Sequence, residues 1–237
     1  MKIKIIATGS SKWDRFICRW GVSFLIGEDV LFDTFGDPGV LLNNMRKFNV
    51  DLAKIKHIVL SHDDWDHISG LWYLLPGRKD VIVYICPGFN QKIKDRIASF
   101  GVRVIEVAPF TAIKENIFST GQIQVSCAGR IIFEQALAVK FLKNITIITG
   151  CAHPGIVNII NVVKKYFSQE RIYFVLGGLH LKDNADETNT VIIRELRDLG
   201  VRKIAPMHCT GKRATEAMCG AFGYGFVQAK EGDSIEL

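Results

Sequence analysis

Four side chains able to hold a metal fall within six residues: His62, Asp64, Asp66 and His67, in the stretch SHDDWDHISGL from Ser61 to Leu71. Imidazole and carboxylate donors together suit zinc, manganese or iron. Helix capping accounts for one aspartate in such a loop, not for an array of four donors. The chain has six histidines. Five of them, His62, His67, His153, His180 and His208, stand at or just beyond the ends of runs that read as strands; His57 begins a strand and belongs to no motif. A shared site is the preferred account of the five. His153, before Pro154, has a competing reading as a helix cap. For His180, metal ligand, support for a ligand and a plain structural role all stay open.

Such a loop needs a rigid element behind it. His57-Ile58-Val59-Leu60 is apolar and β-branched and reads as a buried strand, and Gly70-Leu71 opens a helix. Upstream, Lys2–Ala7, Gly21–Ile26 and Val30–Asp33 read as strands, with a loop from Thr8 to Trp20. Asp37-Pro38 starts a helix whose apolar face is Leu41, Leu42, Met45 and Phe48. Downstream, Val81–Ile85 and Val102–Val107 are strands around a helix over Phe89–Phe100, stopped by Gly101. From Asn116 to Ile148 strand follows strand, at Gln122–Cys127, Gln135–Phe141 and Ile145–Ile148, in an antiparallel pattern. The second half repeats strand, polar loop and helix. TGCAHP, GGLHL and PMHCTG each end a strand, and helices follow to about Phe167, through Ile192–Leu199 and over Ala214–Phe222. Short strands close the chain from Phe226. The pattern establishes mixed α/β, with no linker or low-complexity segment dividing the chain, hence one domain over residues 1–237.

Composition narrows the classes. Apolar residues make up 48% and charged residues 23%, the balance of an ordinary globular protein. The net charge of +6 comes from scattered lysines and arginines, with no basic run interleaved with aromatics, which disfavours nucleic acid as a partner and slightly favours anionic substrates. No apolar run approaches the roughly 20 residues of a membrane helix, and the apolar part of KIKIIATG is too short for a secretory signal. Six cysteines form no CxxC pair, so reduced thiols and a cytoplasmic location are expected. There is no phosphate-binding glycine loop: Thr8-Gly9-Ser10-Ser11 follows a strand but lacks the spacing.

The loop HxDxDH resembles the signature of the metallo-β-lactamase superfamily, usually HxHxDH followed by two glycines; here Asp64 replaces the second histidine and Ser69-Gly70 the glycine pair. LFDTFGDPGVLLNNMRKFNVDLAKIKHIVLSH, TGCAHPGIVNII, GGLHL and PMHCTG together resemble the branch named for 7,8-dihydropterin-6-methyl-4-(β-D-ribofuranosyl)aminobenzene-5′-phosphate synthase, from about Gly21 to Gly211. The resemblance implies an αββα four-layer sandwich. It implies metal ligands at His62, Asp64, Asp66, His67, His153 and His208, holding one or two divalent transition metals, zinc first, with manganese or iron as alternatives. Elsewhere in the superfamily a strand-end Asp bridges two metals, and TGCAH occupies that place here. Cys151 is read as a buried thiol in preference to a thiolate ligand.

The implied chemistry is metal-assisted hydrolysis of a small anionic phosphate or ester, in which two metals roughly 3.5–4 Å apart clamp a phosphoryl or acyl oxygen and activate water. Asp66 orients the nucleophile and His180 donates to the leaving group. Two alternatives remain: a phosphodiesterase or nuclease, suggested by the HxDxDH variant, and a non-catalytic metal-binding protein in which Asp64 marks a degraded second position. The sequence leaves the oligomeric state open.

Overall fold

The computed structural model describes residues 1–237, the side chain of Lys12 apart. Two large sheets face each other. The first has seven strands in the order Ser234–Glu236, Lys2–Gly9, Gly21–Ile26, Val30–Phe32, His57–Val59, Ile82–Ile85 and Arg103–Glu106. Its first four strands are antiparallel; from Val30–Phe32 onward the pairing is parallel. The second has six strands: Lys203–Met207, Arg171–Gly178 and Asn144–Thr149 run parallel, and Leu137–Phe141, Ile117–Ser119 and Thr111–Lys114 continue antiparallel.

Strand alternation divides the apolar residues into three layers. Val30, Phe32 and Val59 point inward with Ile3, Ile5, Phe24 and Tyr84, and meet Leu137, Val139, Ile148, Phe174 and Leu176 from the other sheet. The intervening Leu31 and Ile58 face outward, under Leu41, Met45, Leu71 and Ile97 of the helices. On the far side Ile156, Ile159, Ile160, Leu196, Ala214 and Met218 cover the second sheet through Ile145, Ile147 and Val175. The order is therefore helix, sheet, sheet, helix: the αββα sandwich. Phe24, Phe32 and Phe174 are almost fully buried between the sheets; cutting one to alanine should cost about 3–5 kcal/mol.

Most elements match the sequence reading, with three corrections. The stretch expected as a loop from Thr8 to Trp20 contains a helix at Lys12–Phe16, closed by a reciprocal cap in which the Ser11 hydroxyl accepts Asp14 N–H and the Asp14 carboxylate accepts Ser11 N–H. Two short strands, Thr111–Lys114 and Ile117–Ser119, extend the second sheet. A further strand, Arg130–Glu134, pairs with Ile123–Cys127 in a separate hairpin. Its turn is Ala128-Gly129, both at positive φ; alanine gives no turn signal, so the hairpin was not legible. All six cysteines are free. Among the described residues no helix is long and apolar enough to cross a membrane.

The parallel strands of both sheets end at one edge of the sandwich, and the chemistry-bearing residues follow those ends. Asp33 comes after Val30–Phe32, His62 after His57–Val59, Cys151 and His153 after Asn144–Thr149, His180 after Arg171–Gly178, and His208 after Lys203–Met207.

Candidate metal centre

The signature loop is short and held at both ends. Leu60 N–H closes on Tyr84 of the neighbouring strand, and His67 N–H closes on Asp64 within the one-turn helix Trp65–Ile68. This turn buries His62, Asp66 and His67 on one side. Asp66 Oδ2 lies 3.3 Å from His67 Nε2 and 3.4 Å from His208 Nε2. The His62 and His67 rings are 4.1 Å apart, and those of His62 and His153 4.8 Å apart. Four of the five strand-end histidines thus meet around one point, with Asp66 among them.

Behind each imidazole a fixed acceptor orients the ring. His67 Nδ1 donates to Asp33 Oδ2 at 2.6 Å, which turns Nε2 toward the centre. Asp33 is itself buried and tied by Ser61, whose N–H and hydroxyl both donate to its carboxylate at 2.7 Å. His153 Nδ1 donates to Glu134 at 2.8 Å. His208 Nδ1 lies 3.0 Å from the carbonyl of Gly9 and His62 Nδ1 2.8 Å from the Ser61 hydroxyl. His62 Nε2, in contrast, is buried with no hydrogen-bond partner. A buried polar nitrogen left bare costs roughly 1–3 kcal/mol, and a cation is the natural partner for a lone pair aimed into a ring of donors. The donor set therefore fits a divalent metal, with His62 and His153 on one side and Asp66, His67 and His208 on the other.

Electrostatics agree. Burial works against charge at His67, but Asp66 and Asp33 outweigh it and hold its pKa well above the ordinary value. At His208 burial, with the neighbouring His67, outweighs Cys209 and Asp66 and lowers the pKa. Asp66 is desolvated, yet the imidazoles around it keep its carboxyl far below the usual range. Glu134 is fully buried; its hydrogen bond from His153 and the neighbouring imidazoles bring it down to about 2. Its carboxylate also accepts the backbone N–H groups of Cys151, Ala152 and His153 at 2.7–3.1 Å, pinning the loop that carries His153.

Several supporting residues stand at unusual backbone angles. Asp33, Ala152, His180 and His208 all have φ between 52° and 61°. For residues with a Cβ this left-handed conformation costs about 1–3 kcal/mol each. The strain sits at the strand ends that deliver the donors.

A cavity of about 440 Å³ opens over the centre, lined by Asp66, Cys151, His153 and His180 at its floor. Asp64, expected as a ligand, sits at the mouth. Its Oδ2 is 3.6 Å from His62 Nε2, but Arg130 Nη2 from the hairpin binds both its oxygens, at 2.6 and 2.5 Å. Desolvation of that carboxylate is overcome by His62 and Arg130, and its pKa is strongly depressed. Lys182 reaches over Trp20, 5.4 Å from the ring, and Arg15 completes the basic side of the rim.

His180 lies beyond His153, its ring tilted by 49° with centroids 4.4 Å apart. Its Nδ1 is buried and unpartnered, and the Cys209 sulfur beside it raises its pKa against the effect of burial. Cys151, read as a buried thiol, is buried, but its sulfur faces His67 and His208 rather than apolar side chains alone. Sequence reasoning missed Asp33, Ser61, Glu134 and Arg130. Asp33 carried a usable signal, a lone Asp ending an apolar strand; Glu134 and Arg130 carried none, since their partners lie 19 and 66 residues away.

Comparison with known proteins agrees with this geometry. Residues 21–102 match the family described as the metallo-beta-lactamase superfamily. The chain is 27% identical to the 7,8-dihydropterin-6-methyl-4-(beta-D-ribofuranosyl)-aminobenzene-5′-phosphate synthase of Methanocaldococcus jannaschii, over 94% of this chain and 91% of that protein. It superposes on Tm1679, described as a metal-dependent hydrolase of the beta-lactamase superfamily, with a TM-score of 0.81 and 28% identity over 100% of this chain and 99% of that one. The metallo-beta-lactamase fold protein YhfI of Bacillus subtilis shares the fold at a TM-score of 0.70 and 14% identity, over 99% and 98% of the two chains. With its αββα layers, its strand-end histidines and these similarities, the chain has the metallo-β-lactamase fold, and its residues 21–102 are similar to that superfamily.

Proposed function

We propose that this protein is a metal-dependent hydrolase of a small anionic substrate carrying a phosphate or ester. The observation that carries the reading is the buried ring of imidazole nitrogens and the Asp66 carboxylate, with His62 Nε2 unpartnered, at the floor of an open cavity. His62, His153, Asp66, His67 and His208 would hold one or two divalent metals, zinc first. A bound metal supplies Lewis acidity and makes water a nucleophile near neutral pH.

The chain's own groups do the rest. Asp66, kept ionised by the imidazoles around it, accepts a hydrogen bond from the attacking water and orients it. His180 faces the cavity, and the Cys209 sulfur beside it favours its protonated form, which suits it to donate to the leaving-group oxygen. Arg130, Lys182 and Arg15 surround the mouth and attract an anion. The phosphate in the name of the methanogen relative supports a phosphorylated substrate. That name also favours a second reading, a synthase that joins rather than cleaves, for which the same anion-binding rim and acid–base pair would serve.

The test is elemental analysis of protein purified without added metal, with a screen of phosphomonoesters, phosphodiesters and carboxylic esters. The expected result is at least one transition metal per chain and turnover of one class, abolished in Asp66→Asn while circular dichroism is unchanged. Absence of metal, with no thermal shift on adding zinc, manganese or iron, would sink the reading. Metal without hydrolysis of any class moves the assignment to the synthase.

A further inference from the structure

Cys151 has no part in the reading above, yet its sulfur occupies the middle of the donor set. Sγ lies 3.4 Å from His67 Nε2 and 3.2 Å from His208 Nε2. It also lies within 4.8 Å of donor atoms of His62 and His153, which are likewise within that distance of each other. Among the described residues, Cys151 is the one that both histidine pairs share. A thiol carries a single weak donor proton, which cannot satisfy four converging imidazoles. His62 Nε2 remains bare and buried beside it.

The local fold aims the sulfur there. Glu134 takes the N–H groups of Cys151, Ala152 and His153 in succession, and Ala152 turns through φ 61°. The turn sends Cys151 and His153 into the same pocket. Three carboxylates lie near His62, and each is engaged elsewhere: Asp66 Oδ2 sits against His67 and His208, Glu134 takes His153 Nδ1 and the backbone of the Cys151 loop, and Asp64 has both oxygens on Arg130. The His62–His153 side therefore has two imidazoles and lacks an anionic donor of its own unless sulfur supplies it.

We infer that Cys151 is a thiolate ligand shared between two metal positions, His62 and His153 completing one and Asp66, His67 and His208 the other. The inference rests on the reading that this centre binds metal. On binding, the Cys151 S–H bond breaks, its proton leaves to solvent and the sulfur–metal bond forms, with no change of oxidation state. A sulfur donor in this position selects zinc or iron over manganese or magnesium.

Cobalt(II) is the probe, because thiolate ligation gives it a near-ultraviolet charge-transfer absorption that imidazole and carboxylate do not. Metal-free protein titrated with cobalt should develop this band up to two equivalents. Cys151→Ser should lose the band and bind cobalt at least tenfold more weakly, while Cys127→Ser/Cys209→Ser, which removes the neighbouring thiols, should keep it. Zinc-edge X-ray absorption on that double variant, with Cys151 untouched, should show sulfur at about 2.3 Å. This measurement decides the matter even if Cys151→Ser does not fold. Cobalt binding without the band, or a band that disappears with Cys209 and Cys127, overturns the inference and leaves the metal centre standing. No cobalt binding at all overturns the metal centre as well.

Discussion

The Asp33 carboxylate and the His67 imidazole, 34 residues apart in sequence, meet at 2.6 Å with both side chains buried. The contact joins the ends of two adjacent parallel strands, so the sheet itself sets the orientation of the imidazole. Such outer partners of metal-binding histidines fix the tautomer and strengthen the donor. Asp33→Asn is the appropriate probe, because Asn tolerates the φ of 58° found there. It removes the charge and gives Nδ1 an ambiguous partner. Metal affinity should fall roughly 10–100-fold with secondary structure unchanged, as read by chelator competition. An unchanged affinity would reduce Asp33 to a packing role.

The difference between what the sequence disclosed and what it concealed follows from range. The donors themselves were legible because each follows a short, mostly apolar run that reads as a strand: His62 after HIVL, His153 after ITIITG, His208 after KIAPM. The αββα order was accessible only through resemblance, since period-2 alternation does not say which sheet a strand joins. Glu134 shows the limit. It is one unremarkable Glu on a hairpin whose turn lacks Asn-Gly, and its role exists only because the hairpin folds back onto the Cys151 loop. Asp64 shows the opposite case: its spacing marks a ligand, while its nearest charge, Arg130, lies far along the chain and takes both oxygens.

Gly21 is a backbone test of the centre. Its φ is 109°, and a Cβ there would sit 1.9 Å from the carbonyl oxygen of Asp66. That oxygen belongs to the rigid signature turn and cannot yield without moving Asp66 and His67. Gly21→Ala should lose at least about 2 kcal/mol of stability through strain alone, and metal affinity should fall with it. Urea unfolding of the metal-free protein and metal titration of the folded fraction check the two effects separately. A variant with native stability would mean the loop shifts freely.

His57 supplies a pH signature away from the centre. Its Nδ1 lies 3.0 Å from the Tyr84 hydroxyl, and burial raises the Tyr84 pKa, so the phenol keeps its proton and donates it. Burial also lowers the His57 pKa below its ordinary value of 6.5, Asp29 opposing and Lys114 adding to the effect. The unfolded chain therefore takes up the proton first as pH falls. The stability contributed by neutral His57 is complete above pH 6.5 and is lost as pH falls through the folded-state pKa. His57→Gln should thus be more destabilising at pH 7.5 than at pH 5. Paired denaturant unfolding of both proteins isolates this from other titrating groups. A destabilisation independent of pH would show that His57 does not titrate differently in the two states.

Asp64 and Arg130 give the sharpest prediction, because the two readings of Asp64 have opposite signs. The pair lies at the cavity mouth, and the guanidinium that would meet an incoming anion is already occupied by Asp64. If Asp64 acts chiefly on Arg130, an anionic ligand must compete with it. Asp64→Asn then frees the guanidinium and removes a negative charge from the rim, so inorganic phosphate should bind several-fold more tightly. Arg130→Gln should weaken phosphate by about tenfold, the loss of one charge-assisted contact of about 1.4 kcal/mol. The double variant should resemble Arg130→Gln alone, since Asp64 has nothing left to withhold. If Asp64 is instead a ligand beside His62, Asp64→Asn should lower metal stoichiometry, and phosphate binding should weaken with it. Isothermal titration of phosphate into the metal-loaded proteins, with metal content measured on the same samples, separates the two. Tighter phosphate binding at unchanged metal content establishes Asp64 as the residue that holds Arg130 in reserve; weaker binding with lost metal returns it to the centre.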